Sequence, residues 1–156
     1  MSSESWPQAD LCHCLAVRQA ARHVTQFYDQ FLAPAGLRTS QFSMLARLRR
    51  HGPLTINALA RDMVMDRTTL GRNILPLERE GLIAISKGSE DRRSKEIRLT
   101  EKGLLRLTQA VGGWNEAQAR FESAFGPERA EELRGLLHAV ATSDLPVAAA
   151  AGAEQE

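Results

Sequence analysis

From Met65 to Leu82 the chain reads MDRTTLGRNILPLEREGL, which brings Arg67, Thr68, Thr69 and Arg72 close together. These residue types suit the edge of a base pair. A guanidinium can donate two bonds to guanine O6 and N7, and a threonine can hydrogen-bond a base edge or press its methyl on thymine. At 100° per residue Leu70, Ile74 and Leu77 fall on one side of a helix, with Thr68, Arg72 and Arg79 opposite. Thr69 and Gly71 flank the polar stripe, and Arg67 lies nearer its edge. Two readings are open: a helix face that enters the major groove of DNA, or an ordinary solvated face. Leu75 also points outward, and neither reading accounts for it.

A second group of cations follows. KGSEDRRS, all turn formers and charge, separates two runs in which Ile83 and Ile85, then Ile97 and Leu99, alternate with polar or small residues. That is the pattern of a half-buried hairpin. Arg92, Arg93 and Lys95 gather at its tip. Asp91 is expected to hold the Arg93 guanidinium in a bidentate pair. An arginine aimed this way fits the narrow, electronegative minor groove of an A·T-rich segment; a tip charged only for solubility is the plain alternative.

The surrounding elements must position these groups. A long helix is expected from an Asp10 cap to about Leu32, with Leu11, Leu15, Val24, Phe27, Tyr28 and Phe31 on its apolar side. A second runs from about Ser40 to Arg50 with Phe42, Leu45 and Leu48 inward, and His51-Gly52-Pro53 stops it. Thr55 can cap a short third helix whose Ile56, Leu59, Ala60 and Met63 form one stripe. Asp66 can cap the fourth, in which Pro76 should bend the chain. After strands at Leu82–Ser86 and Lys95–Leu99, Thr100 opens a long helix to about Phe125. Gly126-Pro127 breaks it, and a last helix reaches about Thr142. The expected fold is mainly α with a small β-hairpin wing, a winged helix-turn-helix between longer N- and C-terminal helices.

Composition narrows the function. Residues 38–98 carry 13 Lys or Arg against 7 Asp or Glu, and the remainder 7 against 12, although the chain's net charge is only +1. A basic centre between acidic flanks suits a polyanionic partner. No apolar run approaches the ~20 residues of a membrane span, and MSSESWPQAD does not read as a secretory signal; a cytoplasmic address is expected. The histidines His13, His23, His51 and His138 belong to no local nucleophile motif, so no enzyme, metal or cofactor is expected. A winged helix that binds protein instead of DNA is a further alternative.

Two stretches, TINALARDMVMDRTTLGRNILPLEREGLI and EDRRSKEIRLTEKG, strongly resemble the MarR family of bacterial transcription regulators. The resemblance runs from about Leu11 to Val140 and rests on the DRTTL start, the LEREGL helix end and the D-x-R wing before LTEKG. It implies a homodimer gripping a pseudo-palindromic double-stranded operator, usually as a repressor. Residues 10–36 and 100–143 would be dimerisation helices, with Leu104, Leu107, Val111, Trp114, Phe121 and Phe125 at the interface. Residues 37–99 would form the DNA-binding lobe, with tails at 1–9 and 144–156. By residue matching Arg67, Thr68, Thr69 and Arg72 look like major-groove readers, and Arg93, oriented by Asp91, like the wing-tip arginine. Gly112-Gly113 in the long helix would permit either a close helix crossing or a bend.

The resemblance also implies a signal, a small aromatic acid or oxidation, that alters the spacing of the two lobes. His13, Arg18 and Arg22 on the first helix are polar or cationic groups that could meet a carboxylate; surface or interface ion pairing is their plainer role. A hydroperoxide-sensing branch of the family carries a reactive cysteine in an L-C-x-x-L setting, which Cys12 matches. The tyrosines of that branch are replaced here by Ala16 and Gln26, and on a helix Cys14 would point ~200° from Cys12. The plainer expectation is that both cysteines are buried small apolar groups.

Overall fold

The computed structural model describes residues 8–146, so most of the expected tails 1–9 and 144–156 lies outside the described residues. In chain order the elements are α1 (His13–Leu32), α2 (Thr39–His51), β1 (Leu54–Thr55), α3 (Ile56–Asp62), α4 (Arg67–Arg79), β2 (Ile83–Lys87), β3 (Lys95–Leu99), α5 (Glu101–Phe125) and α6 (Pro127–Ala141), with short 3-10 turns at Ala9–Leu11 and Ala33–Ala35. The chain forms two compact units, one running to Arg120 and the other starting at Phe121.

In the first unit, caps fix where helices begin. Thr55 Oγ1 accepts the Ala58 N–H at 3.1 Å and opens α3. At α2 the Arg38 N–H donates to Gln41 Oε1 at 2.9 Å, while Asp29 Oδ1 accepts both the N–H and the hydroxyl of Thr39 at 2.7 Å. The positions expected to point inward do so: Phe42, Leu45 and Leu48 of α2, Leu59 and Ala60 of α3, and Leu70, Ile74 and Leu77 of α4 are all buried. They close over Leu82 and Ile97 in one apolar core.

The sheet holds one more strand than expected. β1 pairs antiparallel with β3, Leu54 opposite Ile97, giving the order β1-β3-β2. Two residues are too few for alternation to announce a strand. The first hairpin strand starts at Ile83 rather than Leu82, which is fully buried in the turn before it.

The start of α1 also departs from expectation. Asp10 does not cap it; the Leu11 and Cys12 N–H groups bond back to the Gln8 and Ala9 carbonyls, which folds Asp10 into a separate turn. Cys12 becomes the cap, with Sγ accepting the Leu15 N–H at 3.4 Å. Further on, a Cβ built on Gly113 would lie 2.1 Å from the Phe31 carbonyl oxygen, whereas one on Gly112 meets nothing within 4 Å. Gly113 therefore serves a close crossing of α1 and α5. Beside it Tyr28 donates to Gln118 Oε1, and the Arg120 guanidinium lies 5.5 Å from the Phe31 ring centre. Leu107 and Trp114, expected at an interface between subunits, serve this unit's own core: Leu107 is buried and Trp114 stacks on Phe42 at 6.0 Å.

In the second unit, Phe121 and Phe125 stack at 5.5 Å, and the Arg129 guanidinium sits 4.3 Å from the Phe125 ring centre. Gly126, at φ +100°, and Pro127 start α6, as the Gly-Pro break suggests. Among the described residues no helix is long and apolar enough to cross a membrane.

Candidate nucleic-acid interface

The buried side of α4 dictates what its other side offers. With Leu70, Ile74 and Leu77 locked into the core, Thr68, Arg72 and Arg79 are exposed on the opposite face. Asp66 sets the start of this helix. Its Oδ1 accepts the Thr69 N–H at 2.8 Å and its Oδ2 accepts the Thr69 hydroxyl at 2.5 Å. The hydroxyl bond first, then the backbone bond to Thr69, holds the Asp66 carboxyl below its ordinary pKa. The consequence for Thr69 is specific: its hydroxyl proton is already donated, leaving a methyl and an acceptor lone pair for any base. Asn73 Nδ2 donates to the Thr69 carbonyl at 2.7 Å. A Cβ on Gly71 would meet nothing within 4 Å, so that face is open to a close partner.

The wing is held differently from the sequence-based expectation. Asp91 does not grip the Arg93 guanidinium; its Oδ1 accepts the Arg93 backbone N–H at 2.9 Å. Two positions apart in a turn, a short carboxylate finds the backbone amide first, as aspartates in turns commonly do. Ser94 donates its N–H and hydroxyl to the Asp91 carbonyl at 3.1 and 2.7 Å, and Gly88 N–H donates to the Ser94 carbonyl at 2.8 Å. Ser89 donates its N–H and hydroxyl to Glu96 Oε1, both at 3.2 Å. The loop is thus closed by its own backbone. Arg92, Arg93 and Lys95 are exposed, and among the described residues no ion pair ties them down.

Helix and wing meet around an open cleft of about 670 Å³, lined by Thr55, Asn57, Arg61, Arg67, Asp91 and Glu96 among others. A smaller cleft of about 350 Å³ adds Arg93 and Lys95 to Asn57, Arg67 and Asp91. Arg67 therefore faces the wing, apart from the Thr68–Arg72 stripe. The cleft mixes carboxylates with its arginines and is not uniformly cationic.

Residues 37–95 match the family model described as the MarR family. The organic hydroperoxide resistance transcriptional regulator of Bacillus subtilis is 31% identical over 98 residues, covering 63% of this chain and 67% of that protein. The transcriptional regulator MosR of M. tuberculosis, solved in complex with DNA, is 37% identical, with a TM-score of 0.73 over 86% of this chain and 99% of that one. The chain belongs to the MarR family. The HTH-type transcriptional repressor MdtR of Bacillus subtilis is a further relative, 28% identical over 88 residues, covering 56% of this chain and 57% of its own.

In this MarR-family transcriptional regulator the other residues singled out from sequence lie apart from helix and wing. His13, Arg18 and Arg22 are exposed along α1, and none of them lines either cleft at the wing. Cys12 and Cys14 are both exposed, against the expectation of burial. Because Cys12 caps the helix instead of lying within it, the helical angle between the two cysteines does not apply. Asn57 and Arg61, which join Arg67 and Asp91 around the larger cleft, were missed from sequence. Their placement follows from the pairing of β1 with β3, which brings the start of α3 beside the wing.

Proposed function

We propose that this chain works as a homodimer that binds a pseudo-palindromic double-stranded operator and represses transcription. The observation carrying the reading is the exposed Thr68–Arg72–Arg79 face of α4, backed by a buried apolar side and flanked by a wing presenting Arg92 and Arg93. Arg72 and Thr68 read base edges in the major groove, Thr69 contributes its methyl, and Arg67 reaches from the helix start toward the wing. Arg93 enters the minor groove, with Asp91 setting the backbone that carries it. Residues 37–99 form the DNA-binding lobe, and 10–36 with 100–143 the dimerisation region. Exposed Leu104, Leu105 and Val111 on α5, and Leu136, Leu137 and Val140 on α6, supply apolar surface for a second copy. Repression is supported by the relative named a repressor. A small acidic aromatic ligand, met by His13, Arg18 and Arg22, would shift the population of lobe separations and release DNA.

The test is binding of the purified chain to duplexes enriched from a randomised library, followed across salt concentrations. A protein neutralising several phosphates loses affinity steeply, with a log–log slope near −0.9 per phosphate contacted. A flat response, or a chain that stays monomeric while binding, would refute the reading.

A second trigger is favoured by two observations. Cys12 and Cys14 are exposed, and the chain is related to an organic hydroperoxide resistance regulator. Oxidation of Cys12 by a hydroperoxide would give a sulfenic acid and the corresponding alcohol, with one peroxide oxygen transferred to sulfur. Loss of DNA binding on peroxide treatment, abolished in Cys12→Ser, tests it; equal sensitivity of the variant would refute it.

A further inference from the structure

Leu75 stands on the outward face of α4 with 49% of its surface exposed. Counting 100° per residue from Thr68, Arg72 lies at ~40°, Leu75 at ~−20° and Arg79 at ~20°. All four side chains share one stripe, so the only large apolar group on it sits between two arginines. Among the described residues the core includes Ile74 and Leu77 on either side of it but not Leu75. Resting on the DNA-binding reading above, we propose that Leu75 reads a thymine 5-methyl group, adding an apolar determinant to the operator preference.

Geometry and chemistry agree on this occupant. At 1.5 Å rise per residue Leu75 lies ~10 Å along the helix from Thr68, about three base-pair steps of 3.4 Å. In homeodomains, a helix-turn-helix variant, the recognition helix contacts the major groove through positions spread over about seven residues. Thymine is the one base that offers an apolar group in that groove. Leucine has no donor or acceptor, so against any other base edge it would displace water and return nothing. The ring of Pro76, directly after it, adds no donor that would compete.

The experiment uses the full chain and a duplex selected by it from a randomised library. Each thymine of one half-site is replaced in turn by deoxyuridine, which removes only the methyl. Wild type is expected to weaken about fourfold at one position, roughly the value of one buried methylene. Leu75→Ala should bind the thymine and deoxyuridine duplexes equally there while keeping its preferences at other positions. Leu75→Met, which preserves an apolar side chain, should retain most of the discrimination. If no thymine is methyl-sensitive, or if Leu75→Ala keeps the same ratio, the inference is overturned while DNA binding stands. If the wild-type chain enriches no duplex at all, the DNA-binding reading falls and takes this inference with it.

Discussion

Two aspartates, Asp66 at the start of α4 and Asp91 at the wing tip, do the same local work for different purposes. Each accepts a backbone N–H a few residues on, from Thr69 and Arg93 respectively, and each precedes exposed arginines. The element behind each one differs. Behind Asp66 runs a 13-residue helix pinned through Leu70, Ile74 and Leu77. Behind Asp91 is a loop whose bonds, from Ser94, Gly88 and Ser89, all close within the hairpin. A core-anchored helix can hold side chains in the fixed registers that base recognition needs. The wing loop instead keeps its shape through bonds of its own hairpin, with no core residue among the described residues beneath its tip. Under the proposed function, similar capping chemistry would support sequence readout on one side and readout of groove width on the other.

The largest test of that contrast removes an arginine from the anchored side. Arg72→Ala should lose ~1–3 kcal/mol at one base pair per half-site and relax the preference there, measured by competition among single-base operator variants. Uniform weakening over all sequences would instead make Arg72 a phosphate contact, and the contrast with the wing would vanish.

A smaller effect compares the aspartates directly. Asp66→Ala removes the cap of a core helix, so the melting temperature should fall by a few degrees. Asp91→Ala should leave it nearly unchanged and weaken binding chiefly to duplexes with A·T-rich flanks. The Asp66 contribution also carries a pH signature. Its folded-state pKa is lowered by the Thr69 bonds, so the stabilisation is present above the ordinary carboxylate value near pH 4 and fades as pH falls through the folded value. The difference in melting temperature between wild type and Asp66→Ala should therefore shrink in acid. A difference that persists with Asp66 protonated would assign it to something other than the ionised cap.

Much of this arrangement was legible in sequence because it depends on periodicity and caps. Leu70, Ile74 and Leu77 announce the buried side of α4 by spacing alone, and Thr55 and Asp66 cap where their residue types predict. What escaped depends on geometry that spacing does not carry. β1 is two residues long and exists only because Leu54 reaches Ile97. The bond from Asp91 to the Arg93 amide instead of its guanidinium is decided by turn conformation. Cys12 caps α1 because a 3-10 turn delays the helix, and Leu107 and Trp114 turn inward because α5 crosses the lobe's own helices. None of these leaves a one-dimensional trace.

The smallest expected effect lies in the turn that delivers α4. Val64, between α3 and α4, has φ +52° and is 70% exposed. A β-branched residue there is strained, by roughly 1–2 kcal/mol on the scale set for L-residues in the left-handed region. Its surroundings enforce the conformation: the Met65 N–H bonds to the Ala60 carbonyl at 2.8 Å, and the Val64 N–H to Arg61 at 3.1 Å. Val64→Gly relieves the strain and sacrifices little packing, while glycine's freedom in the unfolded chain takes back ~0.5–1 kcal/mol. The net gain should lie between ~0 and ~1.5 kcal/mol, and the middle of that range corresponds to a rise in melting temperature of about 2–3 °C. Because the turn is enforced by those bonds, operator affinity should be unchanged. A higher melting temperature with weaker DNA binding would show instead that the valine's stiffness helps aim α4, and that the anchored side of the molecule owes its precision to this turn as well as to its core.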